Sequence, residues 1–221
     1  MITLAGQHNA TEWSAEEWQE AVKHLPAAFV EDLGRYRRWQ DRQAAIIGKR
    51  LLAQLTEQLL GERVTPDRLQ TDRYRRPYLP EVPDFDFNIS HTEGMVLCCA
   101  ALGRGRVGVD VEQKKPVDIT EFRRVFTAAE YDRLAALDDP TEMFYRLWTR
   151  KEAVMKADGR GFYLDAATID CLRDPVVIAC TDYRVVSLEL SEGFAGHVAA
   201  VGRDPIELFF CPDSHRGRKS E

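Results

Sequence analysis

Two short stretches far apart in the chain carry the residue types for chemistry on a phosphate. In the first, Val107, Val109 and Val111 alternate with Gly108, Asp110 and Glu112. That period of two predicts a strand with one apolar face and one face bearing two carboxylates. Residues i and i+2 of a strand lie roughly 6.5–7 Å apart along the backbone, so two such carboxylates can converge on one cation. In the second stretch Trp148, Glu152 and Lys156 recur every four residues, a helical stripe that sets an acid beside a base. Oxygen-only ligands from Asp110, Glu112 and Glu152 suit Mg²⁺, or Mn²⁺, better than zinc or copper. A lysine beside them points to a phosphorylated substrate, with Lys156 neutralising charge on the phosphoryl oxygens. Glu152 can bind the ion, take a proton from an attacking hydroxyl, or do both through a water.

Plainer readings stand beside these. Glu152 and Lys156 alone would make an ordinary i,i+4 surface pair worth about 0.3–0.5 kcal/mol. The acids at Asp110 and Glu112 alone could be the charged face of an edge strand. His91 shares a strand face with Phe87 and Ile89, so it is either a hydrogen-bonded core histidine or an imidazole aimed at a phosphate from the strand end.

The elements that would carry these residues can be read along the chain. Ser14 and Glu17 form a capping box for a short helix that stops at Pro26. A longer helix is predicted from near Arg37 to Leu60, with Ile46, Ile47, Leu51, Leu52, Leu55 and Leu59 as its buried stripe and Gly61 as its stop. Phe85, Phe87 and Ile89 alternate with Asp86, Asn88 and Ser90, and an apolar run from Met95 to Leu102 follows a Thr-Glu-Gly turn. After the Val107–Val111 strand come a short helix around Ile119 to Phe126 and a second capping box at Thr127 and Glu130. The helix of Glu152 and Lys156 starts near Pro140, and further strands are predicted at about 168–172, 176–180, 183–190 and 194–201. Helices precede strands in each half. The division expected is 1–105, 106–203 and an extension, 204–221, that is partly disordered.

With 221 residues the chain is long enough for a sizeable core or for two small halves. It has no apolar run of the ~20 residues a bilayer span needs and no basic-then-apolar leader, so a cytoplasmic protein without a membrane partner is expected. The five cysteines lack paired spacing and read as small, mostly buried apolar residues. A net charge of −6 argues against a general nucleic-acid binder. Even so, Arg35, Arg37, Arg38, Arg42, Lys49 and Arg50 crowd one segment and Arg73, Arg75 and Arg76 another. These are either solvated helix faces or a cradle for a multiply phosphorylated small molecule.

RRPYLP (Arg75 to Pro80), FNISHT (Phe87 to Thr92), VGVDVE (Val107 to Glu112), FTAAEY (Phe126 to Tyr131) and FYRLWTRKEAVMKADGRG (Phe144 to Gly161) stand in this order. Together they resemble the 4′-phosphopantetheinyl transferases of the long, pseudodimeric, surfactin-synthetase-activating type. The resemblance implies an α+β fold of two similar halves related by a pseudo-twofold, acting as a monomer. It implies transfer of phosphopantetheine from coenzyme A to a serine of an apo acyl or peptidyl carrier protein, with release of adenosine 3′,5′-bisphosphate. Matched residue by residue, Asp110, Glu112 and Glu152 are the implied magnesium ligands and Glu152 the favoured base. Lys156 is implied on the pyrophosphate, His91 on the coenzyme's phosphates and Ser90 in the nucleotide pocket. Arg76, followed by Pro77, stands where the family has a lysine facing the 3′-phosphate. The family's arginine near Ala44 is missing, as are its basic residues near Phe29 and Asp32. Lys114, Lys115, Phe122 and Phe126 fall in the family's carrier-docking region. A metal-dependent nuclease and a carrier-binding protein without activity are the competing readings.

Overall fold

In the computed structural model, which describes residues 1–210, each half builds a long helix over a four-stranded sheet. In the first half, strand β1 (Ile2–Asn9) is followed by helices α1 (Ala15–Val22), α2 (Ala27–Leu33) and α3 (Trp39–Leu60). A two-residue pair, β2 (Gln70–Thr71) and β3 (Pro77–Tyr78), leads to the hairpin of β4 (Phe85–Thr92) and β5 (Gly94–Leu102). The second half contains β6 (Val107–Gln113), α4 (Ala128–Ala135), α5 (Thr141–Asp158), β7 (Val176–Ile178), β8 (Thr181–Ser187) and β9 (Phe194–Val201). A last strand, β10 (Leu208–Phe210), returns to the first half and pairs parallel with β1. The sheet orders are β10-β1-β5-β4 and β6-β9-β8-β7.

The period of two decides the layering. On the first sheet Phe85, Phe87, Val96, Cys98 and Ala100 face the Ile47, Leu51 and Leu55 side of α3. The opposite face, with Ile2, Leu4, Met95, Leu97 and Cys99, packs on Val107, Val109, Val111 and Val198 of the second sheet. A third core lies under α5, from Leu147, Val154 and Ala157 to Tyr183 and Val185. The order of layers is therefore helix, sheet, sheet, helix.

Where the two sheets meet, β4 bonds to β6 through side chains. The N–H groups of Val107, Val109, Val111 and Gln113 donate to Asp86 Oδ2, Asn88 Oδ1, Ser90 Oγ and Thr92 Oγ1 at 2.7, 3.1, 3.4 and 3.1 Å. Every second residue of β4 thus supplies the acceptor that an edge strand would otherwise leave missing.

Most predicted elements are present, with three differences. Residues 168–172 are not a strand: Thr168 ends a 3-10 turn (Ala166–Thr168) and the chain turns again at 171–172, where Asp165 and Asp170 hold nearby backbone N–H groups and Ile169 gives its carbonyl to Lys151. Strand β1 and helix α2 were not predicted, because neither offers a sustained apolar period. Of the extension, 208–210 is strand; the expected disorder falls largely on 211–221, outside the described residues. Cys98, Cys99 and Cys171 are buried while Cys180 is exposed, and burial pushes the thiols of Cys99 and Cys171 up to about 12. Among the described residues no helix is long and apolar enough to cross a membrane.

Candidate active site

Gly108 determines how closely α5 can lie on β6. A Cβ there would stand 2.2 Å from the Ala153 carbonyl oxygen and 2.4 Å from the Ala157 nitrogen, so only glycine admits the helix backbone. The same strand face then presents Asp110 and Glu112 to the helix stripe that carries Trp148, Glu152 and Lys156. Gly159, in the left-handed conformation at φ 86°, ends α5 two residues before Gly161 and donates its N–H to the Met155 carbonyl.

Asp110 is almost wholly buried. Its Oδ1 accepts from Lys156 Nζ at 2.6 Å and from the Ser90 hydroxyl at 3.0 Å. Lys156 also donates to Ser90 Oγ at 2.9 Å, closing a three-membered network between β4, β6 and α5. The other carboxylate oxygen, Oδ2, is buried without a partner. Glu112 is held from both sides, Oε1 by Trp148 Nε1 at 3.3 Å and Oε2 by Thr92 Oγ1 at 3.1 Å. Its pKa is raised by burial and by the charge of Asp110, against the lowering effects of these hydrogen bonds and of Lys156. The pKa of Glu152 is raised as well: burial is the largest cause, Asp110 and Glu112 add to it, and Lys156 opposes it. Three carboxylates therefore repel one another across a space with one ammonium to balance them.

Among the described residues no three His, Cys, Asp or Glu side chains stand as a ready metal cluster, and Lys156 occupies Asp110. The donor set nevertheless fits a hard divalent cation: it is all oxygen, one buried oxygen lacks a partner, and the pKa values of Glu112 and Glu152 are raised, by burial first and by neighbouring carboxylates second.

The remaining predicted residues are distributed around this centre. His91 is exposed at the end of β4 and is not a core histidine; partial desolvation lowers its pKa, Asp41 opposes that, and Lys156 adds to it. Pro77 is half-buried in β3. Arg76 is turned inward, with a side chain only 7% exposed and Nη2 on Asp86 Oδ2 at 2.6 Å. A cavity of about 630 Å³ is lined by Arg76, Asp86, Tyr78, Phe85 and Arg106 and by none of Asp110, Glu112 and Glu152. In the docking region Phe126 is core and offers no surface, while Phe122 is half-buried against it. Lys114 pairs with Glu142 at 2.8 Å and Lys115 with Glu93 at 3.0 Å.

Two buried networks under α5 escaped the sequence reading. Lys151, next to Glu152, is buried and donates to Glu130 at 2.9 Å and to the carbonyls of Ala166 and Ile169 at 2.8 and 2.5 Å. The Glu130 that read as a capping residue does both jobs, since it also accepts from the Thr127 N–H. His197 lies opposite Asp110 in the β6–β9 ladder. Thr149 donates its hydroxyl to the Tyr145 carbonyl, so His197 Nδ1 must donate to Thr149 and Nε2 must accept from Ser187. Burial and the cations Arg150 and Arg146 hold that imidazole neutral, with its pKa lowered to about 4. A lysine within a helix motif and a lone histidine in a strand carry no signal of burial by themselves.

Comparison with known proteins adds to the geometry. Residues 106–196 match a family described as the 4′-phosphopantetheinyl transferase superfamily, and residues 11–103 match 4′-phosphopantetheinyl transferase, N-terminal. A 4′-phosphopantetheinyl transferase of Bacillus subtilis is 30% identical over 182 residues, 81% of this chain and 77% of that protein. The 4′-phosphopantetheinyl transferase Sfp of Bacillus subtilis strain 168 is 30% identical over 68% of this chain and 67% of its own length. The L-aminoadipate-semialdehyde dehydrogenase-phosphopantetheinyl transferase of Homo sapiens is 31% identical over 67% of this chain and 52% of its own.

Proposed function

Because the chain belongs to the 4′-phosphopantetheinyl transferase superfamily, we propose that it moves the phosphopantetheine arm of coenzyme A onto a serine of an apo carrier protein, acyl or peptidyl. The observation that carries this reading is the network at Asp110, where an acid of β6, the lysine of α5 and a serine of β4 meet, with Glu112 and Glu152 near enough to feel the charge of Asp110. The carrier serine oxygen attacks the β-phosphorus of coenzyme A. A new P–O bond forms, the bond to the adenosine 3′,5′-bisphosphate breaks, and the serine proton leaves to a base.

Glu152 serves as that base. Its side chain has no hydrogen-bond partner among the described residues, and burial, helped by the charges of Asp110 and Glu112, raises its pKa and so its affinity for a proton. Lys156 shifts from Asp110 to the diphosphate as charge develops, and Ser90 and His91 line the phosphate path from β4. Asp110, Glu112 and Glu152 would hold Mg²⁺, or Mn²⁺, which supplies charge neutralisation for the diphosphate when bound. The enzyme works as a cytoplasmic monomer with neither nucleic acid nor membrane as partner. The carrier docks beside Lys114 and Lys115, whose cations suit an acidic helical partner. Charge reversal at both lysines raises the carrier KM several-fold; an unchanged carrier KM removes this surface.

The test is direct. Incubated with coenzyme A, Mg²⁺ and a panel of apo carrier proteins, the protein adds the mass of phosphopantetheine to at least one of them. Asp110→Ala lowers that rate by about 10³-fold or more while the protein stays folded. Full turnover in Asp110→Ala and in Glu152→Ala would refute the site.

A further inference from the structure

Arg76 enters the molecule from a backbone turn built to aim it. The residue before it, Arg75, has φ 66°, a conformation uncommon for a residue with a side chain. Asp72 fixes the turn: its Oδ1 accepts from the N–H groups of Tyr74 and Arg76 at 2.8 and 3.0 Å, and its own N–H donates to the Arg76 carbonyl at 2.9 Å. The guanidinium then reaches three elements at once. Nη2 donates to Asp86 Oδ2 and the Phe87 carbonyl of β4 and to the Val107 carbonyl of β6, at 2.6, 3.2 and 2.8 Å. Nη1 donates to the carbonyl of Lys156 in the last turn of α5.

The last of these contacts bears on the chemistry. A helix's final carbonyls have no partner of their own, and a cation there is further favoured by the helix dipole. Arg76 satisfies the carbonyl of the very residue whose ammonium rests on Asp110 and Ser90. Asp86 Oδ2 meanwhile accepts from the Val107 N–H at 2.7 Å, so the Arg76–Asp86 pair anchors one end of the seam between the halves. With only 7% of the Arg76 side chain exposed and both terminal nitrogens engaged, little of it is left for a solvent-borne anion.

The geometry points to Arg76 as a positioning residue that locks the end of α5, and with it Lys156, onto the seam between the halves, instead of a contact to the coenzyme's 3′-phosphate. This rests on the transferase reading above, and the test separates the two. The parent, Arg76→Lys and Arg76→Met are assayed with coenzyme A and with 3′-dephospho-coenzyme A against one apo carrier, with thermal melts run in parallel. A positioning role predicts that kcat falls by about 10- to 100-fold, equally for both donors, with donor KM changed by less than about two-fold. Asp86→Asn, which removes the charge that holds the guanidinium, shows the same split.

Arg76→Lys keeps a cation but lacks the planar fork, so it carries the comparison if Arg76→Met does not fold. A loss confined to coenzyme A, expressed as raised KM, would overturn the proposal and return Arg76 to the 3′-phosphate. Unchanged kcat with both donors in folded variants would overturn it as well. Failure of the parent itself to modify any carrier would strike the transferase reading and not this one.

Discussion

Asp110 has one carboxylate oxygen with two partners and one with none, in a place where water does not reach. Leaving a buried polar atom unpaired costs roughly 1–3 kcal/mol, so the fold tolerates a local penalty at the point where the chemistry is expected. Glu112 and Glu152 add to it, since both carboxyls are held above the usual carboxylate range by burial and by neighbouring negative charge. The sign follows directly. A carboxyl whose pKa is raised in the folded state favours folding while it is protonated and opposes it once pH rises through the folded value. At neutral pH and without divalent ions, Glu152→Gln should therefore melt higher than the parent, at about 2–4 °C for each kcal/mol relieved. The gap should close as pH falls below the folded value. Mg²⁺ should raise the melting temperature of the parent and do so far less for the variant. Differential scanning calorimetry across pH, with EDTA or Mg²⁺, reads both effects; a parent indifferent to Mg²⁺ that also melts above Glu152→Gln would contradict the argument. At this scale the sequence was informative, because Asp110, Glu112, Glu152 and Lys156 each lie at a spacing that fixes their face. It did not reveal that Lys156 closes on Asp110 and Ser90, which depends on three elements meeting.

Helix α5 brings Glu152 and Lys156 close to the strand acids only because β6 lets it approach. Gly108→Ala places a methyl carbon where the Ala153 carbonyl and the Ala157 nitrogen already are, both of them backbone and unable to rotate away. The helix must lift or tilt, carrying Glu152 and Lys156 off the strand acids. Overpacking of this kind costs typically about 1–3 kcal/mol, and displacement by about 1 Å can lower a rate about 10²-fold. The expected result is a folded but destabilised protein with a transfer rate reduced well beyond its loss of stability, read by denaturant titration beside the carrier assay. A normal rate would mean that helix and strand do not need this contact.

The elements themselves differed in how openly they were written. α3 and α5 have long apolar stripes and Gly61 and Gly159 as stops, and both were legible. The segment 168–172 was misread because Ile169 and Cys171 alternate with Thr168 and Asp170, as a strand would. There the tertiary demand of buried Lys151 for carbonyl acceptors overrides the local period. α2, only seven residues long and without a side-chain cap, offers too short a pattern to register.

The two halves form one structure because β4 and β6 share side-chain acceptors and because a single apolar layer lies between their sheets. Asp86, Asn88 and Ser90 show in the sequence only as the polar residues alternating with Phe85, Phe87 and Ile89, and Thr92 continues their period. In the fold they are the seam, a role that no single strand's pattern can declare, since it needs a second edge with unpaired N–H groups. Return of β10 to β1 was equally hidden, for it joins residues about 200 positions apart. Asn88 offers the cleanest test of the seam, because its Oδ1 serves the Val109 N–H and stands away from the acids. In Asn88→Ala that N–H loses its acceptor with core on either side, at a cost of about 1–3 kcal/mol. If the shared core couples the halves, the variant should unfold in one transition at lower denaturant with an unchanged slope. Amide exchange at Val109 should quicken more than exchange in α3. Two separated transitions would instead mean that each half is stable alone, and that the joint holding Ser90 against Asp110 and Lys156 forms after both have folded.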